Sequence, residues 1–282
     1  MTEQPPAQTP VAPVPGEPGE VPRVAVVTGA DSGIGRATAV ALARDGFDVG
    51  ITHRDDEDGA ARTAAEVREH GRRVAVRQMD LGDLPDAADA IDALAEELGG
   101  LGVLVNNAGT GTRTRVVDMD YATWKHVIGV DLDGAFAGSQ RAARRMIGAG
   151  RGGRIVNVTS VHEHVPRVGA APYCAAKAGI GLLSKVLALE LAEYGITVNA
   201  VAPGEIATPL TGQPDEDPRE SPRPGAPLGR PGHAEEVAAM IAFLASAGAA
   251  YVTGASHVVD GGVTLMGAQA GLSFPDDSWR RP

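Results

Sequence analysis

One cysteine, Cys174, is all that the 282 residues contain. That excludes an intramolecular disulfide and a cysteine-built zinc cage, and it fits a reducing, cytoplasmic compartment. Lysine is nearly as scarce. Lys125, Lys177 and Lys185 are the only lysines, and arginine supplies the remaining basic charge, so a lysine at a motif position stands out from background. Basic charge is itself in deficit, with 25 Lys and Arg against 36 Asp and Glu, a formal net charge of -11. This balance opposes non-specific binding to nucleic acid or to an anionic membrane, so an anionic ligand must meet a local site. No apolar run is long enough to cross a bilayer. With 43% apolar and 22% charged residues, the composition is that of a globular, water-soluble chain.

Residues 1–22 carry Pro5, Pro6, Pro10, Pro13, Pro15, Pro18 and Pro22 with few large apolar side chains, a mixture that cannot offset the entropy of ordering. The segment reads as a disordered tail. It has no basic residue before Arg23 and no apolar stretch of the kind a leader needs, so neither a secretory signal nor an organelle transit peptide is expected. From Val24 onward, short apolar runs alternate with longer amphipathic stretches. Strands are predicted at 23–28, 48–52, 73–78, 103–106, 154–159, 197–202 and 256–259, and helices at 35–45, 60–70, 86–98, 122–148, 173–194 and 234–245. This rhythm predicts one α/β domain over 23–266, a doubly wound, seven-stranded parallel sheet flanked by helices, followed by a C-terminal extension at 267–282. At 212–232, Pro214, Pro218, Pro222, Pro224, Pro227 and Pro231 interrupt both periods and predict a long irregular connection of the functional kind.

The first strand runs into Gly29-Ala-Asp31-Ser32-Gly33-Ile34-Gly35, and a helical pattern follows. Glycines let backbone approach a pyrophosphate closely, and the free N–H groups at a helix start stabilise the anion. A dinucleotide on a Rossmann-type fold is the expected ligand. Ser160 falls just past the fifth strand, at the end where parallel sheets present their ligand sites. Tyr173 and Lys177 are four residues apart, on one face of a helix. A free phenol titrates near about 10 and is a poor acid or base at neutral pH. An ammonium about 4 Å away stabilises the phenolate by roughly 4 kcal/mol at an effective dielectric of 20.

These residues carry a resemblance. Thr28-Gly-Ala-Asp-Ser-Gly-Ile-Gly35, Asn106-Asn107-Ala108-Gly109, the set Ser160, Tyr173 and Lys177, and Pro203-Gly204 with Ile206 and Thr208 resemble, in order and spacing, the motifs of the classical short-chain dehydrogenase/reductase family over about residues 23–266. The resemblance implies hydride transfer between a nicotinamide cofactor and a small carbonyl or alcohol, with Tyr173 as general acid and base. Ser160 would bind the substrate oxygen, and Lys177 would contact the nicotinamide ribose. It also implies cofactor contacts from Gly29, Asp31, Ser32, Gly33, Ile34 and Gly35, from Asn107, Ala108 and Gly109, and from Pro203, Gly204, Ile206 and Thr208. Asp80 and Leu81 would meet the adenine. The segment 212–232 lies where relatives carry a substrate-covering loop, and a homotetramer is the assembly the resemblance implies.

Two positions depart from the family pattern. Asp131 stands where many relatives have an asparagine near the catalytic lysine, and an ionised carboxylate there would partly cancel the lysine's field. His53 and Arg54 stand at the end of the second strand, where relatives that prefer the dephosphorylated cofactor carry an aspartate. A guanidinium pairs with a 2′-phosphate, so NADP(H) is favoured, with NAD(H) possible, although Asp55, Asp56, Glu57 and Asp58 follow. His162, Glu163 and His164 are candidates for the substrate pocket, His162 first. Consecutive residues rarely converge on one ion, and no metal site is predicted. Arg141, Arg144, Arg145, Arg151 and Arg154 form a basic cluster that reads as a solvated helix face rather than a docking site for an acyl carrier protein. The alternatives to a small-carbonyl oxidoreductase are a 3-oxoacyl-thioester reductase and, in another class, a catalytically silent cofactor-binding regulator.

Overall fold

The computed structural model describes residues 21–213 and 217–271. The expected tail up to residue 20, positions 214–216 of the proline-rich connection and 272–282 of the C-terminal extension lie outside the described residues.

The strands are β1 (Val24–Val27), β2 (Asp48–His53), β3 (Val74–Gln78), β4 (Val103–Asn106), β5 (Gly153–Val158), β6 (Ile196–Pro203) and β7 (Ser256–Val259). They form one sheet in the order β3-β2-β1-β4-β5-β6-β7, and every pairing is parallel. The helices are α1 (Gly33–Arg44), α2 (Glu57–Glu69), α3 (Asp89–Leu98), α4 (Tyr121–Ile128), α5 (Gly134–Ala149), α6 (Ala171–Leu191) and α7 (Ala234–Ala245). Side chains alternate across a strand, and β1, which reads Val-Ala-Val-Val, uses both faces. Ala25 and Val27 pack with Leu42 of α1, Val67 of α2 and Ile241 of α7. Val24 and Val26 pack on the other side with Leu94 of α3, Met146 of α5 and Leu191 of α6. Two apolar cores thus sandwich the sheet, as the continuous apolar strand pattern requires. Leu42 and Leu94, wholly buried, each stabilise the fold by about 2 kcal/mol through burial.

The expected seven-stranded, doubly wound architecture is what the chain adopts, with shifts at helix ends. Helix α2 begins at Glu57 rather than residue 60, because the Asp56 carboxylate accepts the Gly59 N–H at 2.8 Å and caps it. Helix α6 begins at Ala171, with Pro172 in the first turn where its missing N–H costs nothing. The stretch 86–98 divides into a 3-10 turn, Asp86–Ala88, and α3. The largest departure concerns 122–148, expected as a single helix. It is two helices, α4 and α5, joined by a π-helical turn over Gly129–Asp133. Such a turn holds one residue more than the α-helical ladder and is common at functional sites. Here it carries Asp131 inward, where its carboxylate accepts the Thr110 N–H at 2.7 Å.

Candidate active site

Strands β1 and β4 are neighbours, yet the chain leaves them towards opposite edges of the sheet. Crossovers diverging in this way leave a crevice beyond the C-terminal strand ends. A cleft of about 500 Å³ occupies that position, within the size range of small-molecule sites.

One wall is the glycine loop. Gly29 and Gly33 have φ of 61° and 53°, a left-handed backbone that side chains disfavour. A Cβ on Gly29 would lie 3.0 Å from the Ala108 backbone. Asn107 holds the loop from β4: its amide donates to the Thr28 and Gly29 carbonyls at 2.9 Å each. Thr28 Oγ1 accepts the Asn107 and Ala108 N–H groups at 3.0 and 2.9 Å. Ser32 is the N-cap of α1, its side chain making no capping bond to the helix. The loop after β6 closes from above, since a Cβ on Gly33 would lie 3.3 Å from the Thr208 side chain. Gly35 does not line the cleft. A Cβ there would run into the Gly29 carbonyl and the Asn107 amide, so this glycine lets α1 approach the loop from behind.

Beyond the loop the cleft is lined by His53, Arg54, Asp80 and Leu81 at one end and by Ser160, Tyr173 and Lys177 at the other, with Gly109, Pro203, Gly204 and Ile206 between. His53 is buried, and its Nδ1 has no hydrogen-bond partner in the described structure. Arg54 Nε donates to Asp55 at 2.5 Å. Asp55 beside it, reinforced by Asp80 and Asp31, raises its pKa above the ordinary arginine value. Asp80 Oδ1 accepts the Gly82 N–H at 2.8 Å.

At the opposite end, Ser160 is buried at the close of β5, and its Oγ accepts the His162 N–H at 3.1 Å. Lys177 Nζ lies 5.5 Å from the centre of the Tyr173 ring and donates to the Val158 carbonyl at 3.1 Å. It also stands 3.6 Å from Asp131 Oδ2. Asp131 is set behind the cleft wall. Burial pushes its carboxyl above the ordinary aspartate pKa, while the Lys177 charge and the Thr110 N–H pull it back. Gly109 makes room for the pair, as a Cβ there would lie 3.3 Å from Lys177 Nζ. The His162 ring meets the Tyr173 ring edge-on at 6.2 Å between centres.

Several contributors escaped the sequence reading. Thr110, Thr159, Val130 and Leu210 also line the cleft, and each adjoins or nearly adjoins a motif residue. Asn106, which opens a motif singled out in the sequence, heads a buried polar chain whose other members had no local signal: its Nδ2 donates to Asn157 Oδ1 at 2.8 Å and to Ser139 Oγ at 2.9 Å, and Asn157 Nδ2 donates to Ser184 Oγ at 2.8 Å. These bonds tie β4 and β5 to α5 and α6 beneath the cleft.

The His162-Glu163-His164 run diverges. Glu163 accepts the Ser256 hydroxyl at 3.1 Å and lies 3.9 Å from His164 Nε2, whereas His162 faces Tyr173. Among the described residues no three His, Cys, Asp or Glu side chains are placed to hold a metal ion, and no helix is long and apolar enough to cross a membrane. Two of the five arginines of the basic cluster are neutralised, and Arg154 lies on β5 instead of on the expected solvated helix face. Arg141 pairs with Asp89 at 2.5 Å and Asp92 at 3.1 Å, Arg145 pairs with Asp92 and with Glu96 at 2.7 Å, and Arg154 is buried.

Comparison with known proteins places this geometry. Residues 29–264 match a family model described as enoyl-(acyl carrier protein) reductase. The chain is 50% identical over 247 residues to the uncharacterized oxidoreductase YohF of Escherichia coli (strain K12), covering 88% of this chain and 98% of that protein. It is 44% identical to the cis-4-hydroxycyclohexanecarboxylate dehydrogenase of Sinomonas cyclohexanicum, covering 86% of this chain and 97% of that enzyme. The crystal structure of acetoin dehydrogenase YohF from Salmonella typhimurium superposes with a TM-score of 0.81 at 50% identity, covering 86% of this chain and 96% of that one. The chain belongs to the short-chain dehydrogenase/reductase family and is an oxidoreductase acting on alcohol and carbonyl groups.

Proposed function

We propose that this oxidoreductase binds a nicotinamide dinucleotide along the cleft and interconverts a small carbonyl compound and its alcohol, with Tyr173 as the proton-transferring group. One observation carries the reading. Ser160, Tyr173 and Lys177 converge at one end of a cleft whose other wall is a glycine loop opening a helix. The residues fit a dinucleotide. Gly29 and Gly33 leave the loop without a side chain at two positions where a pyrophosphate would approach, and His53, whose buried Nδ1 is unpartnered among the described residues, lines the end suited to the adenosine.

The bound cofactor supplies or accepts the hydride. The chain's own residues manage the proton. Ser160 Oγ hydrogen-bonds the substrate oxygen, and Tyr173 Oη gives that oxygen a proton in reduction or takes one in oxidation. The buried ammonium of Lys177 favours the phenolate electrostatically and would hold the nicotinamide ribose of a bound cofactor. Arg54 favours the phosphorylated cofactor, in competition with Asp55, Asp80 and Asp31 for its charge. The relatives named for acetoin and for a cyclohexanecarboxylate alcohol support a small substrate over a carrier-bound thioester, as does the pairing of Arg141 and Arg145 with acids of the same subunit. Exposed apolar side chains on α6, Leu182 and Leu189, and on the edge strand β7, Val258, support a homo-oligomer.

The test is binding of NADPH and NADH to the purified protein, followed by turnover across small ketones, diketones, sugars and acyl thioesters. Cofactor binding with reduction of a small carbonyl supports the reading. Cofactor binding without turnover of any class favours the regulator, and failure to bind either cofactor sinks the proposal.

A further inference from the structure

Most arginines described in this chain are neutralised by an acid of the same chain, including Arg36 by Glu66, Arg77 by Glu97, Arg115 by Asp118 and Arg230 by Glu236. Arg113 and Arg167 are among the exceptions, with Arg68, Arg144 and Arg151 elsewhere on the surface. Arg113 and Arg167 are exposed, and among the described residues neither side chain makes an ion pair or hydrogen bond. They sit on two loops that meet in front of Tyr173. The loop after β4 reaches the ring, since a Cβ on Gly111 would lie 4.0 Å from Tyr173 Cδ2, and Thr110 of the same loop lines the cleft. The loop after β5 runs from Ser160 past His162, whose ring touches Tyr173 edge-on. The loops are in backbone contact: Gly169, with φ of 80°, would place a Cβ 3.2 Å from the Arg113 carbonyl carbon. Only glycine allows that approach in that conformation. Two arginines without an ion pair are therefore carried on contacting loops beside Tyr173, at the rim of the cleft rather than in its lining, in a protein whose net charge is -11. Val165 and Val168, on the loop that carries Arg167, and Leu210 of the cleft wall are exposed apolar side chains.

Resting on the reading of Tyr173 as the reacting group, we infer that Arg113 and Arg167 form an anion-recognition pair, and that the preferred substrate is an oxo acid or hydroxy acid with an apolar body and a carboxylate remote from the reacting carbon. The carboxylate accepts charge-assisted hydrogen bonds from the guanidiniums, the apolar body covers Val168 and Leu210, and the reacting oxygen reaches Ser160 and Tyr173. A positive mouth on an acidic protein also raises the local concentration of such an anion.

The experiment compares 4-oxocyclohexanecarboxylate with its methyl ester in the wild-type protein, in Arg113→Ala/Arg167→Ala and in Arg113→Lys/Arg167→Lys. Calorimetric binding of cyclohexanecarboxylate to the cofactor-loaded protein is measured in parallel. The acid is expected to have the higher kcat/KM in the wild type. The acid-to-ester ratio should fall about tenfold in the alanine variant, through KM rather than kcat, and recover in part with lysine. Raising salt should shrink the wild-type preference. An unchanged ratio, carboxylate binding that is absent or equal in wild type and alanine variant, or faster use of a carrier-protein thioester than of the free acid would overturn the assignment. Failure of the Tyr173 reading looks different: no carbonyl is turned over at all, while calorimetry still reports whether the arginines hold the carboxylate.

Discussion

Two oppositely charged pairs flank the same cleft and share little beyond their chemistry. Lys177 and Asp131 stand 3.6 Å apart with side chains 5% and 0% exposed. Arg54 and Asp55 are closer, at 2.5 Å, but 58% and 70% exposed. The buried pair has been withdrawn from water at a cost of several kcal/mol per ion, and each partner is the other's main compensation. The exposed pair is screened and contributes little to stability. Proximity therefore says less than burial about what a pair does. The buried pair acts as a fixed local field, whereas the exposed one is a reservoir of charge that a ligand can redirect.

The largest effect is expected from removing the group that the buried pair is proposed to serve. Tyr173→Phe leaves Lys177 and Asp131 in place and is expected to lower kcat roughly a thousandfold, within the range of general acid-base effects, with cofactor binding retained. Activity within a few-fold of wild type would show that no proton passes through Tyr173.

Next comes Asp131→Asn, which keeps the hydrogen bond from Thr110 available and deletes the charge. The acidic limb of the oxidation pH profile should move down by on the order of one unit as the lysine's field on the phenol strengthens. Stability offers a second readout with a definite sign. Burial raises Asp131 above 3.8 in the folded protein, so ionising it costs the folded state more than the unfolded chain. Wild type therefore loses stability as pH climbs from 3.8 through the raised value, whereas the asparagine variant has no such proton to lose. Parallel stability curves for the two proteins above pH 4 would refute the coupling.

At the exposed pair the effect should be smaller and seen in cofactor preference alone. Asp55→Asn frees the Arg54 guanidinium, and the ratio of NADPH to NADH affinity should rise by about threefold to tenfold. A fall in that ratio would show that Arg54 does not meet a 2′-phosphate. Smallest of all is an exposed pair remote from the chemistry. Arg230 holds the Glu236 carboxyl down to about 2 from 4.5, so its contribution is complete above pH 4.5 and disappears as pH falls towards 2. Glu236→Gln should cost about 1 kcal/mol in urea unfolding at pH 7, discounted for exposure, and nothing near pH 2.

Much of this was legible along the chain. The strand-glycine-helix order from Val24 to Arg44 declares itself locally, because the turn chemistry, the apolar run and the helix start are contiguous. The same holds for Tyr173 and Lys177, whose spacing alone puts them on one helical face. What escaped was whatever depends on partners far apart in sequence. Asn157 and Ser184 are unremarkable singly and join the motif residue Asn106 in a network only when β4, β5 and α6 are brought together. Arg113 and Gly169 meet across 56 positions, so nothing in either stretch predicts their contact. The π-helical turn was hidden for another reason: Gly129–Asp133 keeps an apolar spacing compatible with an ordinary helix, and the partners of Asp131 there, Thr110 and Lys177, are remote in sequence.

That turn makes the helix pair sensitive to counting as well as to chemistry. The wider turn absorbs its extra residue, so the faces of α4 and α5 stay in register across it. Deleting one residue within Gly129–Asp133 would restore an unbroken helical ladder and remove the bulge that carries Asp131 inward. Asp131 would swing away from Lys177 although every side chain of the catalytic set was still present. A gap of a single residue at this place in a relative is therefore as consequential as the loss of a catalytic side chain, though a residue-by-residue comparison of the motifs would pass over it.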